Sequence, residues 1–152
     1  MSKPASMLMN IKEADVDTPQ KRQSFTIGVI GSGFTLSRHI CVFAEAGFRV
    51  VAVDLKHHLI NFVKENTVSP NSVLNMLMKK HLKDKRVTVM GSIREATSKS
   101  DVIIFLVQPV ISQKKKPDYS GIERACKEVG MGLRSGCLVV VASTVGPGVT
   151  EG

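Results

Sequence analysis

The sequence is poor in aromatic residues, with no tryptophan, one tyrosine and six phenylalanines among its 152 residues. A core of this composition must be mainly aliphatic, as is typical of a parallel sheet buried under helices. No apolar run approaches the roughly 20 residues that span a membrane, and the start, MSKPASMLMN, lacks the hydrophobic segment of a signal peptide. We therefore expect a cytoplasmic protein with no membrane partner.

Cysteine is scarce as well, and Cys41, Cys126 and Cys137 form neither a CxxC pair nor a set with metal-ligand spacing. An odd number of cysteines indicates unpaired thiols in a reducing compartment. Cys41 and Cys126 fall within predicted helices and Cys137 opens a predicted strand, so we interpret all three as core thiols rather than nucleophiles. The histidines show no triad or metal spacing and are interpreted as surface residues, and no metal site is expected. They are His39, His57, His58 and His81.

The formal net charge of +8 at pH 7 raises the question of a nucleic-acid partner. The positive charge is concentrated in two groups, Lys79, Lys80, Lys83, Lys85 and Arg86, and Lys114 to Lys116. Neither group has interleaved aromatic residues that could stack on bases, so we favour a solvated face over a nucleic-acid site. Such a surface would also raise the local concentration of anionic substrates.

The stretch from Phe25 to Asp54 carries the strongest pattern in the chain. Phe25 to Ile30 is apolar without alternation, which predicts a parallel strand covered on both faces. Glycines then break the strand, helical spacing begins at Leu36, and Gly47 is placed to end the helix. A second buried strand runs from Arg49 to Val53. The order strand, glycine turn, helix, strand predicts the first half of a dinucleotide-binding fold.

The residues of this turn fit the chemistry of a dinucleotide. Gly31 permits a sharp turn, Gly33 permits the backbone to approach a pyrophosphate, and the helix directs its free N–H groups toward the phosphates. Asp54, at the end of the second strand, can accept hydrogen bonds from the adenosine ribose and repel a 2′-phosphate. The pattern therefore favours NAD over NADP. Lys56 and the two following histidines could soften that repulsion, but we interpret them as the polar start of the next helix.

Leu36 stands where the fingerprint has its third glycine, which lets the helix pack close to the first strand. It is either an ordinary member of the buried stripe in a slightly displaced helix, or a mark of weakened cofactor binding. We favour the first interpretation, because cores absorb such volume changes at a cost of about 1–3 kcal/mol.

The remaining sequence alternates predicted strands and helices, which predicts right-handed crossovers and an α/β fold. Strands are predicted at Arg86–Met90, Asp101–Val107 and Cys137–Ala142, and helices at Leu59–Val63, from Ser69, at Ser92–Ser98 and at Tyr119–Arg134, with a loop from Gln108 to Pro117. We predict one Rossmann-type domain over residues 25–152, a doubly wound parallel sheet ordered 3-2-1-4-5. Residues 1–24 show no period and are predicted to be a flexible extension.

Several segments together resemble one enzyme family. Ser143 to Glu151 closely resembles the STVxPGTTE segment of the nucleotide-sugar 6-dehydrogenases, which act on UDP-glucose or UDP-N-acetylmannosamine. Gly31 to Phe34 resembles their GxGYVG turn, and Asp54 their ribose-binding carboxylate. Asp101–Ile104 with Pro117–Ser120 resembles their DVIIxxVxTP…PDxS stretch. The resemblance spans residues 26–152.

The resemblance implies the N-terminal NAD-binding domain of such an enzyme. In this family NAD oxidises the C6 alcohol of a nucleotide sugar twice, through a cysteine-bound thiohemiacetal and thioester, to a carboxylate. It implies cofactor contacts from Phe34, Val107, Ser143 and Thr144, and a catalytic role for Glu151 in placing the water. A second water-placing residue of the family, a threonine, is absent here, because either Pro109 replaces it or a one-residue deletion at Gln108–Pro109 removes it.

The family's catalytic lysine, asparagine and cysteine lie beyond the position of Glu151, so we expect the chain to end before the central helix and substrate domain. We predict a fragment that is inactive alone, part of an enzyme that binds its nucleotide sugar through a second domain and can form a homodimer. One alternative is a non-catalytic dinucleotide-binding or interaction module, which Leu36 and Pro109 favour. The other is a 3-hydroxyacid dehydrogenase domain, which the PGxTE ending argues against.

Overall fold

A five-stranded parallel sheet runs through the computed structural model, which describes residues 10–57, 59, 72–113 and 115–150. The strands are β1 (Thr26–Gly31), β2 (Arg49–Asp54), β3 (Val87–Met90), β4 (Val102–Phe105), β5 (Val110–Ile111), β6 (Pro117–Asp118) and β7 (Leu138–Val141). The main sheet has the order β3-β2-β1-β4-β7, which confirms the predicted topology, and every neighbouring pair in it is parallel.

Helices cover both faces of the sheet. They are α1 (Pro19–Arg22), α2 (Gly33–Glu45), α3 (Ser72–Lys83), α4 (Ile93–Ser98) and α5 (Ser120–Gly132). One core cluster joins α2 and α3 to one face, and a second joins α4 and α5 to the other. The helix predicted at Leu59–Val63 and the start predicted at Ser69 lie outside the described residues, apart from Leu59 itself.

The central strands are continuously apolar because both of their faces are covered. On β1, Val29 belongs to the first cluster and Ile30 to the second, and neither is exposed. Ser92 caps α4 as predicted, since its Oγ accepts the N–H of Glu95 at 3.2 Å. None of the described helices is long and apolar enough to cross a membrane.

The described residues before Ser24, which begin at residue 10, include helical turns where we expected a flexible extension. Thr18 caps α1. The Arg22 guanidinium donates to two main-chain carbonyls, Asp17 O before α1 at 3.2 Å and Ala46 O after α2 at 3.0 Å. Pro19 lies so close to Gly47 that a Cβ on this glycine would be 2.7 Å from Pro19 Cα. The sequence missed this because a four-residue helix is too short for a period.

Two further features concern the second half of the chain, and the first of them differs from the prediction. The predicted loop from Gln108 to Pro117 contains an exposed antiparallel pair, β5 with β6. The last strand, β7, lies at the edge of the sheet, and its four apolar residues are between 36% and 53% exposed. β7 therefore presents a partly exposed apolar surface at the edge of the sheet.

Candidate functional site

The predicted site residues that the structure describes meet at the carboxyl edge of the sheet, where ligands bind in open α/β folds. Gly31 at the end of β1 lies opposite Asp54 at the end of β2. Val107 follows β4, and Ser143 and Thr144 follow β7 on the other side of β4. The topology thus brings together residues that are far apart in sequence.

Gly31 and Gly33 are required for different reasons. A Cβ on Gly31 would lie 2.9 Å from Leu106 Cβ, so this glycine permits the close approach of the segment that follows β4. Gly33 has φ +68°, a conformation that favours glycine, and a Cβ there would meet no atom of the described residues within 4 Å. The backbone at the start of α2 is therefore open on this side, as the approach of a pyrophosphate requires.

The N-terminus of α2 has free main-chain donors. Ser32 is the N-cap residue in extended conformation, but its side chain makes no capping hydrogen bond, and the first turn carries no acidic residue. The first N–H groups of a helix have no partner within the helix, and they attract anions together with the helix dipole. In the described part of the chain, no side chain caps this terminus as an anion would.

Phe34, the second residue of α2, is 51% exposed. The Arg38 guanidinium lies 5.7 Å from the centre of its ring, one helical turn further on. This is the geometry of a cation–π contact. Phe34 therefore lies in the first turn of α2, with the Arg38 guanidinium over its ring.

Asp54 is only 2% exposed, and both carboxylate oxygens already accept main-chain hydrogen bonds. Oδ1 accepts the N–H of Lys56 at 3.0 Å and Oδ2 that of Leu59 at 2.8 Å. A ribose would have to use the remaining lone pairs of these oxygens. A cavity of about 400 Å³ lies beside the carboxylate, lined among others by His57, Ser92 and Glu128.

The residues after Asp54 form a turn, so our interpretation of them as the start of a helix is wrong for the described ones. His57 has φ +57°, in the left-handed region, and both Lys56 and His57 are exposed. The Asp54 carboxylate holds this turn through the N–H of Lys56. His58 lies outside the described residues.

Hydrogen bonds tie the loop after β7 to β4 and to the segment between β4 and α5. Ser143 Oγ donates to Phe105 O at 3.2 Å, and the N–H of Thr144 donates to Gln108 Oε1 at 3.2 Å. The N–H of Gly146 donates to the Tyr119 hydroxyl at 3.4 Å. Sequence reasoning assigned no role to Gln108 or Tyr119, because a contact between two loops leaves no periodic pattern.

Two of the predicted residues have other settings. Val107 is buried in the second core cluster together with Phe105. Glu151, the predicted catalytic residue, lies outside the described residues, and its role stays a prediction. Pro109 is partly exposed and has no hydroxyl to place a water.

The thiols are poorly suited to act as nucleophiles. Burial and the charge of Glu45 raise the pKa of Cys41 to about 11, and burial raises the pKa of Cys126 and of Cys137. The prediction of a core thiol is confirmed for Cys41 but wrong for Cys126, which is exposed, while Cys137 is half-buried.

His81 corrects another prediction, since it is buried rather than on the surface. It lies on α3, 2% exposed, with Nε2 2.6 Å from Glu45 Oε1. This burial could not be predicted from a local pattern, because the partner of His81 is on α2 and distant in sequence. The contact joins the two helices on one face of the sheet. Among the described residues, no group of histidine, cysteine and carboxylate side chains could hold a metal ion.

Comparison with protein families gives one match over nearly the whole folded part. Residues 25–152 match the model of the UDP-glucose/GDP-mannose dehydrogenase family, NAD binding domain. A UDP-N-acetyl-D-mannosamine dehydrogenase of Pyrococcus horikoshii is 29% identical over 130 residues, 82% of this chain and 30% of that protein. The UDP-glucose 6-dehydrogenase TuaD of Bacillus subtilis is 32% identical over 121 residues, 78% of this chain and 26% of that protein.

Solved structures agree with these relatives. A UDP-glucose dehydrogenase from Pyrobaculum islandicum superposes with a TM-score of 0.74 at 29% identity, over 84% of this chain and 31% of that chain. The UDP-D-ManNAc dehydrogenase of Pyrococcus horikoshii superposes with a TM-score of 0.72 at 30% identity, over 83% of this chain and 30% of that chain. The chain spans less than a third of the length of these relatives.

Proposed function

The chain belongs to the UDP-glucose/GDP-mannose dehydrogenase family, whose NAD-binding domain it matches, and on that premise we propose that it is the NAD-binding domain of a UDP-sugar 6-dehydrogenase. The proposed reaction oxidises the C6 alcohol of the sugar to a carboxylate. The substrate binds through a second domain, as the relatives' greater length supports, and the full enzyme is a homodimer. The three free cysteines of this chain support a cytoplasmic location of the enzyme.

The observation that carries the proposal is the open start of α2. No described residue fills the space that a Cβ on Gly33 would take, and the first turn offers main-chain N–H groups that no described side chain caps. These groups would hold the pyrophosphate of NAD without a cationic side chain. NAD supplies the acceptor for the hydride when it is bound.

The other residues would fix the position of the cofactor. Asp54 would accept the ribose hydroxyls with the lone pairs that Lys56 and Leu59 leave free. Its negative charge would disfavour a 2′-phosphate. Ser143 and Thr144 would border the site from the loop after β7, and Glu151 would place the water.

Two observations favour a second candidate, a dinucleotide-binding module without catalysis. Pro109 stands where a water-placing hydroxyl is expected, and no cysteine has the lowered pKa of an activated thiol. In the dehydrogenase, the missing groups come from polypeptide beyond this chain. Activity of a longer protein with UDP-sugars separates the two candidates.

The test of cofactor binding is a titration of the 152-residue chain with NADH and NADPH, followed by nicotinamide fluorescence. We expect NADH to bind at least about tenfold more tightly, a difference of about 1.4 kcal/mol. Asp54→Asn should narrow this ratio, because the negative charge is lost while one acceptor oxygen remains. Asp84→Asn, at an exposed site distant in sequence, is the matched control. Equal affinity for the two cofactors in the unaltered chain would contradict the assignment of Asp54.

A further inference from the structure

Two side chains from the segment between β4 and α5 each hold one main-chain N–H of the loop after β7. Gln108 Oε1 accepts the N–H of Thr144 at 3.2 Å, and the Tyr119 hydroxyl accepts that of Gly146 at 3.4 Å. We call Gln108 and Tyr119 the loop clasp. Their partners lie two residues apart, so the clasp holds both sides of Val145.

Both residues of the loop clasp adjoin the second core cluster. Gln108 follows Val107, which is buried in the second core cluster. Tyr119 is the N-cap residue of α5, and its ring packs against the same cluster, as does Val145 of the loop. The core therefore places the ring of Tyr119 and the main chain beside Gln108, whereas the Gln108 side chain is exposed and so is much of the loop.

In the described part of the chain, few other hydrogen bonds hold the loop in register, and one of them is donated by Ser143 Oγ to Phe105 O at 3.2 Å. Among the described residues, its other main-chain bonds are Ala142 N to Phe105 O at 2.9 Å, which continues the sheet, and Val149 N to Gly146 O at 3.3 Å. Gly146, Pro147 and Gly148 follow one another, and Gly148 has φ +81°. A glycine-rich segment of this kind has many accessible conformations unless contacts select one.

We propose that Gln108 and Tyr119 are positioning residues, whose acceptor oxygens hold the loop after β7 in the conformation that binds the cofactor. The proposal rests on the proposed function, because Ser143 and Thr144 border the same site. It makes the oxygen the essential atom at each position. A side chain that keeps the oxygen should keep the clasp, and one of similar size without it should lose the clasp.

The test combines amide hydrogen exchange, measured by NMR, with titration by NADH. Gln108→Leu should speed exchange at the N–H of Thr144 about tenfold, while Gln108→Glu, which keeps an acceptor, should leave it close to that of the unaltered chain. Tyr119→Phe removes only the hydroxyl and should speed exchange at the N–H of Gly146. Ser98→Ala is the matched control, because it deletes one exposed side-chain hydrogen bond on α4.

The variants should separate positioning from stability. Gln108→Leu and Tyr119→Phe should weaken NADH binding about two- to tenfold, the range covered by the net contribution of one hydrogen bond. Their melting temperatures should change by less than about 2 °C, because the sheet and its cores are untouched. Gln108→Glu should show the Thr144 N–H exchange rate of the unaltered chain. Ser98→Ala should change neither amide exchange in the loop nor the affinity for NADH.

Unchanged exchange at Thr144 and Gly146 would overturn the proposal, and so would faster exchange with unchanged NADH affinity. An unaltered chain that bound no NADH would overturn the proposed function and, with it, the cofactor role of the clasp. The exchange rates would still report in that case whether the clasp exists. The two failures are therefore distinguishable.

Discussion

Leu36 occupies the place of the fingerprint's third glycine, and its side chain is fully buried. It belongs to the core cluster that joins α2 to the sheet, together with Val29, Ile40 and Leu106. The closest approach at this corner is made by Gly31, where a Cβ would lie 2.9 Å from Leu106. This supports the interpretation of Leu36 as an ordinary core residue, whose bulk the neighbouring side chains accommodate.

At the scale of this residue, we predict that Leu36→Ala lowers the free energy of unfolding by about 2–5 kcal/mol, because it removes buried methyl groups and leaves a cavity. Val42→Ala on the same helix, at a site that is 64% exposed, should change it by less than about 0.5 kcal/mol. Urea denaturation followed by circular dichroism measures both. A loss below about 1 kcal/mol for Leu36→Ala would show that the surrounding core collapses into the space.

The elements could be predicted from sequence wherever a buried face imposes a period. β1 and β2 lie within one residue of their predicted bounds because helices cover both of their faces, and α2 contains the apolar stripe that was predicted to be helical. Contacts between elements could not be predicted in this way. The Glu45–His81 pair, the clasp and the packing of Pro19 on Gly47 each join residues far apart in the chain, and none of them leaves a local pattern.

The contact between α2 and α3 is centred on Glu45, which binds both Lys80 at 2.8 Å and His81 at 2.6 Å. Among the described residues, Nδ1 of the buried His81 has no hydrogen-bond partner. Glu45 is therefore the partner of a ring that burial has removed from water. Lys80, and then His81, lower the pKa of Glu45 from its ordinary value of 4.5.

We predict that Glu45→Ala destabilises the fold by about 1–3 kcal/mol, because it leaves both ring nitrogens of His81 without a partner. Glu95→Ala, which breaks an exposed pair with Lys99, should cost less than about 1 kcal/mol. A similar loss in both variants would contradict the role of His81 burial.

The lowered pKa of Glu45 also sets a pH dependence. The stabilisation is present above pH 4.5 and is lost as the pH falls through the lower folded value. The difference in stability between the unaltered chain and Glu45→Gln should therefore shrink below that pH. Chemical denaturation at a series of pH values measures it, and a difference that grows with acidity would contradict the assignment.

For the whole molecule, we predict that the 152-residue chain binds NAD but does not oxidise a nucleotide sugar by itself. The proposed chemistry needs a thiolate nucleophile, and the pKa of all three cysteines is raised. The chain, NAD and UDP-glucose, UDP-N-acetylglucosamine or UDP-N-acetylmannosamine should give no NADH absorbance above that of samples without sugar. Turnover that is abolished by Cys126→Ser or Cys137→Ser would overturn this prediction.

The packing of the first helix on the corner after α2 bears on where the polypeptide can be shortened. Similarity to the family begins at residue 25, and a laboratory would naturally clone from there. Such a truncation would delete the guanidinium of Arg22 that holds Ala46 O, and it would uncover Gly47 by removing Pro19. A polypeptide expressed for these experiments should therefore begin no later than residue 16. The family match begins at residue 25, which excludes residues that pack against the domain.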